Sequence, residues 1–435
     1  MNQPLLLGLG ILYLLSCVSA KITYDGYKVY RMWPNTEDQR MYLKNLEDDE
    51  VHDFWAGVTK PDRPVEVMVK PEDQVNFYDN ILKDTKFRIF ITHLKLGNYN
   101  RAGMTWTEYF RIEDIYSWFD DLATANPTKV SMVDGGSTFE GRQIKGVKIS
   151  NGPGKKAVFF EGGIHAREWI GPATVTYIIN ELLASKDPEF KQIADSFDWY
   201  LFPVTNPDGY EYSHTDARHW RKTRTIYPGT CRGADPNRNW NIHWMEQGAS
   251  TNCSSDTYAG PKAFSELETA SLSEFIKTIG NDLVGYISFH AYGQMLMVPY
   301  GHTEEHLDNY NDTVAIGQKG IEALAVRYGT NYTLGNIAET IYKASGSSLD
   351  WVKNEFGTPL VYVYELRDRG HFGAFLPPDQ IIPNSVEIVD SLVKCDYINN
   401  ILNLSQDSLH IQLLFSVAFS NLLYNNLATT SSTTK

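Results

Sequence analysis

A histidine and a glutamate three residues apart are the first residues in this chain whose types and spacing suggest chemistry. His165 and Glu168 lie between an apolar run at 157–160 and a periodic apolar segment at 169–183. The run is typical of a buried strand and the segment of a helix, so both side chains are expected on a strand-to-helix turn. Open α/β sheets place their ligands at such turns. Imidazole and carboxylate groups are ordinary zinc ligands, and a catalytic zinc site needs a third protein ligand and an open position.

The third ligand is expected at the end of another strand. His290 directly follows the apolar run 283–289, so a parallel sheet would bring it to the same edge as His165. A lone histidine in such a place is more often a core residue. Its candidacy as a ligand therefore depends on the His165 and Glu168 pair.

Seven motifs in fixed order extend this pattern along the chain. They are His165-Ala166-Arg167-Glu168-Trp169, Asn206-Pro207-Asp208-Gly209-Tyr210, Trp220-Arg221-Lys222-Thr223-Arg224, Asn237-Arg238-Asn239-Trp240, His290-Ala291-Tyr292, Ile341-Tyr342-Lys343-Ala344-Ser345-Gly346 and Tyr364-Glu365-Leu366-Arg367-Asp368. Together they resemble the zinc metallocarboxypeptidases of the pancreatic A/B type, over roughly residues 105–400. The N-terminal part also looks like the activation segment of that family.

The resemblance implies a role for each matched residue. It implies one zinc ion held by His165, Glu168 and His290, with Glu365 as general base and acid. It further implies that Asn237 and Arg238 receive the terminal carboxylate of the substrate and that Tyr342 closes over it. Arg221 would polarise the scissile carbonyl, and Asp235 would support the first zinc histidine. Arg167 would hold the peptide, and Tyr292 would line the cleft. These contacts would make the chain an exopeptidase for peptide and protein C-termini.

The chemistry of the residues agrees with these implied roles and leaves two alternatives open. Zinc lowers the pKa of bound water to about 7 and acts as a Lewis acid. Glu365 follows the apolar run 360–364, so it can stand in a partly desolvated site, although a salt bridge to a nearby arginine is the alternative. Guanidinium groups at Arg221, Arg224 and Arg238 suit carboxylates, because two parallel hydrogen bonds can form. An arginine cluster alone would more often be a solvated face or a phosphate site.

The resemblance also indicates which C-terminal side chain is removed. The pocket floor corresponds to Leu349, and the walls correspond to Gly301, Ile337 and Val363, all without charge. Basic-specific relatives carry an aspartate at the floor. We therefore expect A-type preference for aromatic and aliphatic residues. Asp350 should face away from the pocket if this segment is helical, whereas Glu339 could soften the preference if it reaches the rim.

Four segments are expected along the chain. Residues 1–20 carry an apolar block and a small-residue cleavage site, which predict a secretory signal peptide rather than a membrane anchor. Residues 21–101 show the order β-α-β-β-α-β of a ferredoxin-like α+β pro-domain, ending in a polar link with tryptic sites at Lys95 and Arg101. Residues 102–400 alternate helices with apolar strands, which predicts an α/β catalytic domain. Its central sheet would be mixed but mainly parallel, with helices on both faces. Residues 401–435 form an appended tail.

Cysteine usage fits a secreted chain. Cys231 and Cys253 are the natural disulfide pair, because Cys17 lies in the signal peptide and Cys395 is left over. The bridge would close the loop that carries the Asn237 and Arg238 clamp. The sequon at Asn252 adjoins this pair, and further sequons occur at Asn311, Asn331 and Asn403.

Charge and hydropathy limit the classes of molecule that the chain is expected to bind. The chain has 53 acidic and 39 basic residues, a net charge of −14 and no basic stripe, which disfavours nucleic acid. We expect a secreted monomer without a membrane span, activated by a trypsin-like protease. Two competing functions remain at this stage: a non-catalytic binder of peptide C-termini, and a zinc amidase for non-peptide amides. A binder of peptide C-termini would not need Glu365 together with all three metal ligands. An amidase for non-peptide substrates would not need Asn237 and Arg238 to bind a terminal carboxylate.

Overall fold

The structure, a computed structural model, describes residues 28–48, 52–56, 65–91 and 104–394. By its internal contacts the chain divides into two compact units, residues 1–101 and 102–435. The expected signal peptide, the polar link with Lys95 and Arg101, Cys395 and the tail lie outside the described residues. No helix within the described ranges is long and apolar enough to cross a membrane.

The N-terminal unit is a four-stranded antiparallel sheet with two helices. Its elements are β1 Lys28–Trp33, α1 Glu37–Asp48, β2 Asp53–Ala56, β3 Val65–Val69, α2 Gln74–Asn80 and β4 Lys86–Ile91. The strand order β2-β3-β1-β4 is that of a ferredoxin-like fold, as the sequence predicted. Helix α1 begins with a capping box, since the Thr36 hydroxyl accepts from Gln39 N and the Gln39 side chain accepts from Thr36 N.

The large unit is built on one eight-stranded sheet. Its strands are β5 Val130–Ser137, β6 Gln143–Ile149, β7 Ala157–Gly162, β8 Asp198–Phe202, β9 Leu283–His290, β10 Met295–Val298, β11 Thr333–Asn336 and β12 Leu360–Glu365. Its helices are α3 Ile112–Ala125, α4 Ile170–Ala184, α5 Pro188–Ser196, α6 Pro207–Thr215, α7 Leu267–Ile279, α8 Tyr310–Tyr328, α9 Ile337–Thr340, α10 Ser348–Phe356 and α11 Ile381–Lys394.

The sheet is mixed, with a parallel centre. Its order is β11-β10-β12-β9-β7-β8-β6-β5, and the central strands β12, β9, β7 and β8 run parallel. Strands β7 and β9 are buried along their whole length, which explains their mainly apolar character. One apolar core packs α4 and α11 on one face, and a second packs α7 and α10 on the other. The predicted architecture, with helices on both faces, is confirmed.

Several short elements were not predicted. Strands β10 and β11 have four residues each, and helices α5 and α6 have nine each, so none offers a long periodic pattern. Strand β5 contains two adjacent glycines, which weaken its strand signal. Helix α11 begins at Ile381 and extends to Lys394, the last described residue. The strands predicted from the apolar runs 157–160, 283–289 and 360–364 and the helix predicted from the segment 169–183 are all present.

Candidate active site

The carboxyl ends of two neighbouring parallel strands bring three candidate metal ligands together. His165 and Glu168 lie in the turn between β7 and α4, and His290 is the last residue of β9. Gly162 pairs with Phe289 in the sheet, so both strands end at the same edge. Gly163 opens the turn with a φ of 63°, a conformation that favours glycine.

The donor atoms of the three side chains converge on one point. His165 Nδ1 lies 2.9 Å from Glu168 Oε1 and 3.0 Å from His290 Nδ1, and His290 Nδ1 lies 3.2 Å from Glu168 Oε2. Ligands about 2.0–2.1 Å from a tetrahedral zinc ion lie roughly 3.3 Å apart, so the spacing suits zinc. All three side chains are buried, and in the part of the chain that the structure describes they form the one such cluster. The donor set therefore fits one zinc ion.

Asp235 contacts His165 at Nε2, the ring nitrogen that faces away from the other two candidate ligands. His165 Nε2 lies 3.2 Å from Asp235 Oδ1, which leaves Nδ1 to face the other two ligands. Arg221 donates from Nε and Nη2 to Asp235 Oδ2, at 3.1 and 2.8 Å. Burial opposes ionisation of Asp235, but Arg221, His165 and Arg238 together outweigh it and hold the pKa of this carboxyl well below its usual range. A permanently charged aspartate thus orients both His165 and Arg221.

Glu365 stands beside the ligand cluster on the next strand. It ends β12 in register with His290, and it is partly buried. Burial raises the pKa of Glu365 to about 8. A bound divalent cation would add positive charge beside it and favour the carboxylate. Glu365 does not form a salt bridge with Arg367, the alternative role considered from the sequence, because the Arg367 guanidinium pairs with Glu387.

A second group of side chains forms one wall of the same cleft. Arg238 is 3% exposed; its guanidinium donates to Asn237 O at 2.9 Å and to the Tyr342 hydroxyl at 3.3 Å. Asn237 lines the cleft, and its backbone N–H donates to Asp235 Oδ1 at 2.8 Å. Tyr342 is 53% exposed and lines the cleft beside Arg238. The cleft therefore offers amide, guanidinium and hydroxyl donors close together.

The remaining predicted substrate contacts also line the cleft. Arg167 donates from Nη1 to Asp256 Oδ2 at 2.9 Å, an ion pair at the rim that the sequence did not predict. Tyr292 is half exposed and packs over Gly373, where an added Cβ would lie 2.8 Å from the ring. Glycine at 373 thus allows the aromatic ring to lie flat against the opposite loop.

The cleft has a volume of about 240 Å³ and continues into an apolar pocket. All four predicted pocket positions line it: Gly301, Ile337, Leu349 and Val363. Asp350 does not line it, because its carboxylate turns away to accept from Gly301 N and from the His302 ring and backbone. Glu339 does not line it either and instead faces His306 at 3.3 Å. Among the described residues that line the cleft, the carboxylates are therefore those of Glu168 and Glu365, beside the candidate metal ligands.

Some lining residues were missed by the sequence analysis, and one candidate was wrong. The additional lining residues are Ala291, Met295, Met297, Ile341, Ala344, Ser347 and Ala374. Met295 and Met297 alternate along β10, and that period of two was the available signal. Arg224 does not reach the cleft; its guanidinium lies 3.5 Å from the centre of the Tyr212 ring. It acts as a stacking partner, so the expected guanidinium cluster contains Arg221 and Arg238 alone.

The predicted disulfide between Cys231 and Cys253 is present. It closes a loop of irregular backbone that carries Asp235, Asn237 and Arg238. Closing a loop of about 20 residues stabilises the folded state by roughly 3 kcal/mol in the chain-entropy model. The same bridge limits the movement of the residues that line the cleft.

Comparison with known proteins gives the same picture of both units. The family profile described as "Zinc carboxypeptidase" matches residues 115–391, and the profile "Carboxypeptidase activation peptide" matches residues 30–92. Zinc carboxypeptidase A 1 of Anopheles gambiae is 43% identical over 399 residues, covering 87% of this chain and 91% of that one. Carboxypeptidase B of Astacus astacus is 43% identical over 303 residues, covering 68% and 100%. The solved carboxypeptidase A from Helicoverpa armigera has a TM-score of 0.65 and 27% identity, with 86% and 98% covered.

Proposed function

Because the chain belongs to the zinc carboxypeptidase family and carries its activation peptide, we propose that it is an extracellular A-type enzyme. After removal of the activation peptide it would hydrolyse the C-terminal peptide bond, with preference for aromatic and aliphatic terminal residues. One observation carries the proposal: a single cleft joins the ligand cluster, Glu365, the donors of Asn237 and Arg238, and an uncharged pocket floored by Leu349.

His165, Glu168 and His290 are the residues that would hold the zinc ion. When bound, zinc acts as a Lewis acid and makes water a stronger nucleophile at neutral pH. Asp235 keeps His165 in the tautomer that presents Nδ1, because the proton on Nε2 is shared with the carboxylate. Retention of the metal therefore depends on Asp235 as well as on the three ligands.

Glu365 moves the proton in the proposed reaction. Its carboxylate takes a proton from the attacking water and returns it to the nitrogen of the leaving amine. A group positioned for both transfers contributes roughly 10²–10⁴-fold to the rate. The partly buried end of β12 suits this role, because a desolvated carboxylate is a stronger base than one in water.

Arg221 stabilises the negative charge that develops on the carbonyl oxygen. Two of its nitrogens are occupied by Asp235, whereas Nη1 lies 3.7 Å from Glu168 Oε1, on the side of the ligand cluster. A fixed cationic donor of this kind costs no reorganisation during the reaction.

The requirement for a free C-terminus comes from Asn237, Arg238 and Tyr342. A planar guanidinium and an amide bind a carboxylate through charge-assisted hydrogen bonds. Tyr342 would close over the bound group, with Arg167 and Tyr292 holding the peptide on the other side of the scissile bond. A substrate without the carboxylate would lose these charge-assisted hydrogen bonds to the nearly buried Arg238.

The uncharged pocket supports the A-type preference. Transferring a lysine or arginine side chain from water to a site without a carboxylate costs several kcal/mol. Burying an apolar side chain instead gains about 25 cal/mol per Å². A relative named carboxypeptidase A 1 and one named carboxypeptidase B are both 43% identical to this chain over their aligned residues, so overall similarity does not distinguish A-type from B-type specificity. The A-type proposal therefore rests on the uncharged residues of the pocket.

The proposal extends to maturation. Residues 1–20 would be removed on secretion, and residues 21–101 would be released by a trypsin-like protease from a catalytic domain at 102–400. The mature enzyme would act as a monomer on peptide and protein C-termini. The test is hydrolysis of a blocked dipeptide ending in Phe by trypsin-treated protein, beside the same dipeptide ending in a carboxamide. Chelator-sensitive cleavage of the free acid alone supports the proposal, and equal cleavage of both contradicts it.

A further inference from the structure

A buried glutamate lies behind the wall of the cleft and has no role in the proposed reaction. Glu161 is on β7 and is fully buried. Its Oε1 accepts from the Tyr286 hydroxyl at 2.6 Å and from the Ser348 hydroxyl at 2.9 Å. It forms no ion pair with the residues that the structure describes. Burying a carboxylate without an ion pair costs free energy of folding. We therefore expect the hydrogen bonds of Glu161 to fix the position of groups that matter for the site.

Ser348 connects this glutamate to the carboxylate-binding wall. It is the first residue of α10, and its backbone N–H donates to Asn237 Oδ1 at 3.1 Å. Leu349, the proposed pocket floor, is the next residue. One turn of helix therefore contacts the buried glutamate, the amide of Asn237 and the apolar end of the cleft.

The contact with Ser348 decides which way the Asn237 amide points. Because Oδ1 accepts from a backbone N–H, the Nδ2 group is the opposite branch of the amide and is left to donate to a ligand. A carboxylate requires a donor there, whereas the reversed amide would present an oxygen and repel it. The backbone of Asn237 is fixed separately by Asp235, so the side chain depends on the position of Ser348.

We propose that Ser348 and Glu161 are positioning residues that fix the Asn237 amide for recognition of the terminal carboxylate. The Glu161 carboxylate anchors the Ser348 hydroxyl, which fixes the first turn of α10 and hence the N–H that orients Asn237. This inference rests on the proposed function, because it assumes that Asn237 binds the substrate carboxylate.

The experiment compares Ser348→Ala and Glu161→Gln with a matched control in the activated enzyme. Ser288 lies opposite Glu161 on β9, and its hydroxyl is fully buried without a hydrogen-bond partner, so Ser288→Ala removes a similar group from the same core. The readouts are kcat and KM for a blocked dipeptide ending in Phe, and the inhibition constants of phenylalanine and phenylalaninamide. The ratio of these two constants measures carboxylate recognition, which a general loss of stability would not change.

For Ser348→Ala we expect KM to rise about five- to tenfold with kcat changed by less than about threefold, as for loss of one hydrogen bond in uniform binding. The preference for phenylalanine over phenylalaninamide should fall by a similar factor. Glu161→Gln keeps the shape and an acceptor oxygen, so the same changes should be smaller, about two- to threefold, since a neutral hydrogen bond is weaker. Ser288→Ala should leave both quantities at the wild-type level.

The outcomes separate this inference from the function on which it rests. A wild-type enzyme that shows no preference for the free acid overturns the proposed function and the inference with it. A wild-type enzyme with that preference, kept unchanged in folded Ser348→Ala and Glu161→Gln variants, overturns the positioning role alone. If Ser348→Ala does not fold, Glu161→Gln decides by the same ratio.

Discussion

Glu365 and His290 end two adjacent parallel strands in the same register, so the sheet itself sets the distance between the proposed base and a metal ligand. The backbone at both positions is paired within a buried strand. The catalytic geometry therefore does not depend on loop movement at this point. Irregular backbone carries Asn237 and Arg238, the donors proposed to bind the substrate, whereas His290 and the proposed base Glu365 lie at strand ends.

Removal of one proposed ligand should abolish metal binding. In His290→Ala the remaining pair of His165 and Glu168 is too small for a stable site, because catalytic zinc requires three protein ligands. We expect zinc to fall from one ion per chain to background by elemental analysis, and turnover to fall with it. His243→Ala, which changes an exposed histidine, should keep both. Stoichiometric zinc with unchanged turnover in His290→Ala would contradict the assignment.

Replacement of the proposed base should affect turnover and not metal content. Glu365→Gln keeps the shape of the side chain but cannot accept the proton. We expect kcat to fall by about 10²–10⁴-fold, while zinc and a product such as phenylalanine still bind. Glu339→Gln serves as a control, because Glu339 pairs with His306 away from the cleft. A kcat within about tenfold of wild type, or about 1.4 kcal/mol of barrier, would require another base.

Activation should require a cut between residues 91 and 104. Strand β4 ends at Ile91, whereas Trp106 Nε1 donates to Thr176 and the Tyr109 hydroxyl donates to Leu376 O, so the chain from 106 belongs to the large unit. Mild trypsin should give a new N-terminus after Arg101 by mass spectrometry, together with a rise in activity. Arg101→Gln should slow this cut. Full activity of the uncut chain would refute an inhibitory role for the first unit.

A buried acid in the large unit should make stability depend on pH. Glu268 is 2% exposed and forms no ion pair with the residues that the structure describes, and burial raises its pKa from 4.5 to about 8. Between these values the folded state holds a proton that the unfolded state has lost, so stability falls as pH rises from 4.5 to 8. Glu268→Gln mimics the neutral acid and should avoid this loss.

The measurement is the melting temperature of wild type and variant across pH. The advantage of Glu268→Gln should grow from pH 5 to pH 8 and then level off. Glu274→Gln changes an exposed glutamate on the same helix and should show no such trend. A Glu268→Gln advantage that is constant with pH would contradict the raised pKa.

The strands that carry the ligands could be predicted because their burial leaves a simple record in the sequence. Strands β7, β9 and β12 are buried almost throughout, so they appear in the sequence as mainly apolar runs, and a candidate site residue lies at the end of each run or in the turn that follows it. The three candidate ligands and Glu365 all follow from this pattern. The sheet order could not be read from it, because strand pairing depends on contacts distant in sequence.

The wall of the cleft that carries Asn237 and Arg238 could be predicted from the family resemblance but not from hydrophobic periodicity in the sequence. Between the end of α6 at Thr215 and the start of α7 at Leu267, a fully described stretch, the backbone forms no regular strand or helix. Its shape comes from the disulfide and from the hydrogen bonds of Asp235, neither of which has a periodic signature. For the same reason the pairing of Arg167 with Asp256 and the stacking of Arg224 on Tyr212 became visible only in the folded chain.

The most direct test of the account compares kcat/KM of the activated enzyme for a blocked dipeptide ending in Phe and one ending in Arg. The uncharged floor at Leu349 predicts strong preference for Phe, because an unpaired cation in the pocket costs several kcal/mol. Leu349→Asp should shift the ratio toward Arg by placing a carboxylate at the floor, whereas Glu339→Gln should leave it unchanged. A wild-type preference for Arg would contradict the proposed specificity.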